Sequence, residues 1–298
     1  MQYPNRFIED LYNQERIDDY LESLRAKGLR YRTKIIISGD MLEVEIYPIN
    51  PVWKDNKGAD RERTVNPTRK AQRDLNNKNT RKQISRLIHA NFSNKDIWLT
   101  FTYSPENMPS DEKEAQKDIQ NYIRRLKRYI SKNGLPDLKY IYVTERVINE
   151  DTGKVHAHHH IIMNFWDRDK AESLWTEGGR TQSRRLQPDD MGLEGLARYI
   201  SKPETKEGNR KGAKTYAYSL NLKKPEVKRS DYRMPRTNYK LSKKRVSEMA
   251  LNENRAIEVL EDNYSGYKLM PPMSVKFSDY TAGAYISARL INKTPKGA

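Results

Sequence analysis

Residues 153–165, GKVHAHHHIIMNF, hold four of the chain's five histidines, His156, His158, His159 and His160, against an apolar run. In a strand, successive side chains alternate between faces, so His156, His158 and His160 share one side while Val155, Ala157, His159, Ile161 and Met163 share the other. Two or three imidazoles then converge. Charged imidazoles side by side repel, whereas neutral imidazole is a ready ligand for a divalent cation; an exposed histidine tract without a ligand is the plainer alternative. A third ligand stands in YIYVTER, where Ile141, Val143 and Glu145 share a face and a carboxylate ends a row otherwise suited to burial. Two histidines and a carboxylate with open positions suit Mg²⁺ or Mn²⁺ chemistry on a phosphate, and also non-haem iron. Glu145 could instead pair with Arg146 or a helix arginine. Further on, Tyr199 and Lys202 are spaced i, i+3 and lie on one side of a short helix. A neighbouring ammonium or metal would favour the phenolate of a tyrosine whose ordinary pKa is about 10. With 19 tyrosines in the chain, that spacing alone equally fits a packing tyrosine beside a solvated lysine.

These groups need elements to position them. The strand DIWLTFTYSP, rich in β-branched and aromatic residues, closes at Ser104-Pro105. The clearest helix comes next, with Ser110 as candidate N-cap, an apolar stripe of Ala115, Ile119, Tyr122, Ile123, Leu126, Tyr129 and Ile130, and Gly134 after its end. LKYIYVTER and the histidine strand, about ten residues apart, look like antiparallel neighbours. In DDMGLEGLARYISK, Leu193, Leu196, Ala197 and Ile200 share a helical face, and Pro203 prevents its continuation. Tyr216 and Tyr218, two apart, have strand-like spacing and read as structural or DNA-facing. Near the N-terminus the spacing predicts a helix over 5–27 and a hairpin turning at Gly39-Asp40.

Charge narrows the partners. The 298 residues carry a formal net charge of +16, with 36% hydrophobic residues and a mean hydropathy of -1.00. A surface so basic attracts polyanions, because phosphate contacts release counterions; nucleic acid is the first suspect. Residues 61–86 hold nine basic and two acidic residues, and Arg81, Lys82 and Arg86 lie where the helical pattern is strongest. KKPEVKRSDYRMPRTNYKLSKKR, residues 223–245, has ten basic residues against Glu226 and Asp231 and ends in Lys243, Lys244 and Arg245; it reads as a basic arm. No apolar run approaches the ~20 residues of a spanning helix, and MQYPNRFIEDLYNQ lacks an apolar signal region, so a cytoplasmic protein without membrane contact is expected. The absence of cysteine excludes a cysteine nucleophile and cysteine-rich zinc modules.

The ordered set WLTFTY, Glu145, HHHIIMN and YISK resembles the motifs of the HUH endonucleases, in particular the rolling-circle replication initiator (Rep) proteins of plasmids, phages and integrative elements. The resemblance covers roughly residues 90–225. It implies an α+β fold: an antiparallel sheet of about five strands, an RRM-like palm, with helices on one face and the metal on the other. It implies His158 and His160 as the histidine ligands, Tyr199 as nucleophile and Lys202 as the lysine of the YxxK motif. It further implies nicking of single-stranded or locally melted origin DNA, with a 5′-phosphotyrosyl link formed and a 3′-OH released for a polymerase. The expected segments are 1–92 (helix, hairpin and basic helix), 93–222 (endonuclease core) and 223–298 (basic extension). No GxxxxGK[ST] occurs, so unwinding would fall to a host helicase. The rival readings are an HUH transposase or mobilisation relaxase, and a non-catalytic basic nucleic-acid-binding protein.

Overall fold

The computed structural model describes residues 14–25, 28–49, 69–148, 155–200, 216–277 and 282–294. The fold is α+β with two antiparallel five-stranded sheets, and the chain divides into two compact units: Ala71–Lys224 with Lys296–Ala298, and Met1–Lys70 with Pro225–Pro295. The expected segments 1–92 and 223–298 are therefore not two separate flanks, because strands from both ends of the chain pair in one sheet.

In that flanking unit the described residues form α1 (Gln14–Ser23), β1 (Arg30–Ser38), β2 (Met41–Ile49), β8 (Glu226–Asp231), α6 (Lys243–Leu251), α7 (Glu253–Asn263), β9 (Tyr267–Phe277) and β10 (Ala284–Asn292). The sheet order is β8-β1-β2-β10-β9. The β1–β2 hairpin turns at Gly39, whose φ of 59° is one that glycine adopts without strain. Its core joins Tyr31, Ile35, Val44 and Ile46 of the hairpin to Met249, Leu260, Ile286 and Leu290 from the C-terminal end. Part of the expected basic arm thus supplies an edge strand, and the helices and strands beyond it pack as core.

The other unit holds α2 (Arg69–Asn91, from Ala71 on), β3 (Ile97–Thr102), α3 (Glu112–Lys132), β4 (Tyr140–Ile148), β5 (Val155–Met163), α4 (Arg168–Ser173), β6 (Thr181–Arg185), α5 (Glu194–Ile200) and β7 (Ala217–Tyr218). Its sheet order, β6-β3-β5-β4-β7, puts the histidine strand in the middle. Asp111 rather than Ser110 caps α3: its side chain accepts the Glu114 N–H, and Glu114 in turn accepts from the Ser110 N–H and hydroxyl. The carboxylate is the stronger acceptor at a positive helix start. Ile119, Tyr122, Leu126 and Ile130 of α3 and Ala171 of α4 bury against Leu99, Phe101, Tyr142, Ile161 and Met163. Each fully buried aliphatic side chain there contributes about 1.5–3 kcal/mol relative to exposure. The opposite face, with Ile141, Val143 and Ile162, is covered in part by Ile84, Leu87, Ile88 and Phe92 at the end of α2 and by Ala197 and Ile200 of α5. The helix-covered face thus has the expected counterpart, and that counterpart is itself half closed by two helices.

Candidate active site

The pairing register builds the site. Glu145 of β4 lies directly opposite His158 of β5, Val143 opposite His160, and Thr100 of β3 opposite His160 from the other side. One ligand atom each from Glu145, His158 and His160 falls within 4.8 Å of the others. His158 Nε2 hydrogen-bonds Glu145 Oε2 at 2.7 Å, and His160 Nε2 lies 3.7 Å from the same oxygen. The Glu145 carboxyl is held well below the usual carboxylate range, first by the His158 hydrogen bond and then by the His160 imidazole, so it is an anion at neutral pH.

His160 carries the most pointed feature. It is 2% exposed, and its Nδ1 is 3.1 Å from Thr100 Oγ1, yet its buried Nε2 makes no hydrogen bond. A buried polar nitrogen without a partner is costly, and two histidines with a carboxylate are a suitable donor set for a divalent cation. If Nδ1 donates to Thr100, the Nε2 lone pair faces the carboxylate, as a ligand nitrogen must. Thr100 Oγ1 also accepts the indole N–H of Trp98 at 3.1 Å. The residues present fit a metal.

Tyr199 comes to this place from the last turn of α5. Its ring centroid is 5.2 Å from that of His160 and 5.2 Å from that of Trp98, and the residue is 40% exposed. Trp98 touches the His160 ring at the same centroid distance, 5.2 Å, so the indole bridges ligand and phenol. Helix α5 is short, and the fifth histidine helps to hold it. Buried His89 of α2 has Nδ1 2.8 Å from the Ser85 carbonyl, while its Nε2 accepts the Leu193 N–H at 3.1 Å. Beside it the Ser85 hydroxyl donates to Glu194 at 2.6 Å.

The remaining expected site residues scatter. Lys202 lies outside the described residues, as do the side chains of His156, of Arg73 and of the basic residues within 61–70 of the first charged segment. Arg81 is exposed on α2, with Lys82 and Arg86 half-buried. Lys244 and Arg245 are exposed on α6, in the other unit, where the Lys243 ammonium donates to the Leu24 carbonyl. Tyr216 and Tyr218 stack on one another at 5.8 Å along the edge strand β7. Sequence reading missed Trp98, Thr100, His89 and also Arg184, which is exposed and stands opposite Trp98 in the register. Alternation in WLTFTY would have put Trp98 and Thr100 on one face; nothing local marks His89.

Residues 96–207 match the family model of the replication-associated proteins, ORF2 type. The matched span contains β3, Glu145, the three central histidines and Tyr199. Neither the curated proteins nor the solved structures yield a match. Among the described residues no helix is long and apolar enough to cross a membrane.

Proposed function

We propose that the protein is a replication initiator that nicks single-stranded origin DNA by transesterification, with Tyr199 as nucleophile. The observation that carries this is the meeting of an exposed tyrosine with a buried imidazole whose Nε2 has no hydrogen bond, on the face that also holds Glu145 and His158. The similarity to replication-associated proteins over the same residues supports the biological setting.

A divalent cation, Mg²⁺ or Mn²⁺, held by His158, His160 and Glu145 would supply Lewis-acid polarisation of the scissile phosphate. The protein's own groups do the rest. The Tyr199 oxygen, as phenolate, bonds to phosphorus while the P–O3′ bond breaks. The departing O3′ takes a proton and becomes the 3′-OH, and the 5′-side phosphate stays esterified to Tyr199. Ester energy is thereby kept for later strand closure. Thr100 holds the His160 ring, and Trp98 packs against both the ring and the phenol, which limits their relative motion. Lys202, one helical turn beyond Tyr199 in sequence, would favour the phenolate. Arg81, Lys82, Arg86, Lys243, Lys244 and Arg245 would add sequence-independent affinity for DNA. A host helicase and polymerase complete the cycle in this reading.

The test is incubation of the protein with labelled single-stranded origin DNA and Mn²⁺, then denaturing electrophoresis. A covalent adduct that vanishes in Tyr199→Phe is the expected result. No adduct with the parent, at any origin sequence or metal, would leave only a basic DNA-binding protein; an adduct at transposon ends alone would make it a transposase.

A further inference from the structure

The flanking unit carries a feature that the nicking reading does not use. Lys228, Arg229, Ser230, Arg233, Met234, Pro235, Arg236, Thr237 and Asn238 line a concavity of about 570 Å³ between edge strand β8 and the loop after it. Buried Met234 and Pro235 belong to its apolar part, while Arg229, Arg233 and Arg236 are exposed.

The loop is fixed in shape. The backbones of Arg233 and Lys240 pair in an antiparallel bridge, the Met234 N–H donates to the Tyr239 carbonyl at 3.0 Å, and the Leu241 N–H donates to the Tyr232 carbonyl at 2.7 Å. The Thr237 hydroxyl donates to the Met234 carbonyl at 3.1 Å, and the Tyr264 hydroxyl ties the Pro235 carbonyl to α7 at 3.1 Å. Arg236 holds a φ of 67°, unusual for a side chain of its size. A ligand here meets a rim that is already ordered, which lowers the entropic cost of binding.

The charges are the second observation. Elsewhere in this unit arginines have partners: Arg32 meets Asp231, Arg255 meets Glu258, Arg30 lies over Tyr232 and Arg245 over Tyr239. Arg229 and Arg233 make no ion pair among the described residues. The one carboxylate at the rim, Glu226, pairs with Lys228 at 2.9 Å and Arg236 at 3.6 Å and is itself half exposed. Exposed pairs of that kind are weak and yield readily to a stronger anion. Two unpaired guanidinium forks, with Ser230, Thr237 and Asn238 as neutral donors, match a run of phosphodiesters better than a single small anion.

We propose that this concavity is a docking site for the phosphodiester backbone of DNA, so that the flanking unit holds DNA independently of cleavage. The proposal goes beyond the nicking reading and stands if that reading fails.

The experiment uses the full chain and a short fluorescein-labelled DNA duplex, with Kd measured by anisotropy across a salt series. Arg229→Gln/Arg233→Gln should raise Kd and reduce the slope of log Kd against log[salt] by about two, at ~0.9 per lost phosphate contact. Arg229→Lys/Arg233→Lys should keep the slope. Adduct formation on a short single strand should proceed at the parent rate in both. Should the double glutamine variant misfold, each single variant should still lose about one unit of slope. An unchanged slope in the glutamine variants overturns the proposal. So does a loss of binding to phosphatidylserine vesicles with the duplex slope intact, which would make this a lipid-facing surface. Absence of any adduct with the parent refutes the nicking chemistry and leaves the salt slopes to decide the docking site.

Discussion

His159 and His160 are neighbours on one strand and point to opposite faces of one sheet, and their nitrogens are treated in opposite ways. His159 is fully buried between β3 and β4, its Nε2 2.7 Å from the Tyr103 hydroxyl and its Nδ1 2.9 Å from Thr144 Oγ1. Tyr103 in turn donates to Asp118 of α3 at 3.3 Å. Both ring nitrogens are used, and burial, with the adjacent His158 and His160, pushes the His159 pKa down to about 3. His160 is as buried, but only its Nδ1 is bonded. The same side chain is therefore a packed, neutral tie on the helix-covered face and an offered ligand on the other. Burial of a histidine says little about function; the state of its second nitrogen says much.

The largest effect tests the offered nitrogen. His160→Ala or Glu145→Ala should weaken Mn²⁺ binding by tenfold to a hundredfold or more and reduce nicking by orders of magnitude, while most phosphate-driven DNA binding persists. Tyr199→Phe should lose nicking to a similar extent with Mn²⁺ affinity unchanged, because only the attacking oxygen is removed. Calorimetric titration of Mn²⁺ separates the two. If His160→Ala nicks at the parent rate, the contrast with His159 carries no chemistry.

Next comes the satisfied histidine. His159→Ala leaves the Tyr103 hydroxyl and Thr144 without their partner in a tight core, and should cost about 2–4 kcal/mol of stability by denaturant unfolding. Metal affinity of the folded fraction should stay within a few-fold of the parent. A loss of metal binding equal to that of His160→Ala would show that the strand uses the earlier histidine as a ligand.

A smaller effect arises from protonation. His159 has a folded pKa near 3 against about 6.5 when unfolded, so the unfolded chain takes up a proton that the folded one refuses. Its contribution is complete above about pH 6.5 and lost as pH falls toward 3, with a slope of at most ~1.4 kcal/mol per pH unit. His159→Gln can keep both hydrogen bonds without titrating, so its metal-free stability should fall less steeply in that window. Parallel curves would show that His159 is not kept neutral by the fold.

How much of this was readable beforehand depends on sequence distance. Alternation in β5 and the short connection to β4 made the Glu145–His158 neighbourhood legible, since one antiparallel register settles which side chains face each other. The Thr100–His160 contact was not, because the partners are 60 positions apart and several alternative strand orders were open. The end of α2 was hidden for another reason: Ile84, Leu87 and Ile88 close a segment whose charge outweighs its apolar stripe. The second sheet was hidden because β2 and β10 stand at opposite ends of the chain, and β8 lies in a run whose charge reads as solvated. Local periodicity finds strands and helices; it does not find their distant partners.

His89 supplies the last test, and the finest. Like His159 it is buried with both nitrogens in use, but it serves the face where Tyr199 sits. If a satisfied histidine positions and only one with an open nitrogen binds metal, His89→Ala should leave Mn²⁺ affinity unchanged. It removes the acceptor of the Leu193 N–H at the entry to α5, while Leu193, Ala197 and Ile200 keep the helix packed. The loss of one buried hydrogen bond, about 1–1.5 kcal/mol, should then appear as roughly a tenfold fall in the nicking rate at saturating DNA. His89→Gln, which can still accept the Leu193 N–H, should recover part of that rate. In the Tyr199→Phe background the same substitution should change nothing further, since a better or worse pose of a missing nucleophile has no consequence. A drop in metal affinity in His89→Ala would instead place His89 with His160, and the distinction between the two kinds of buried histidine would fail.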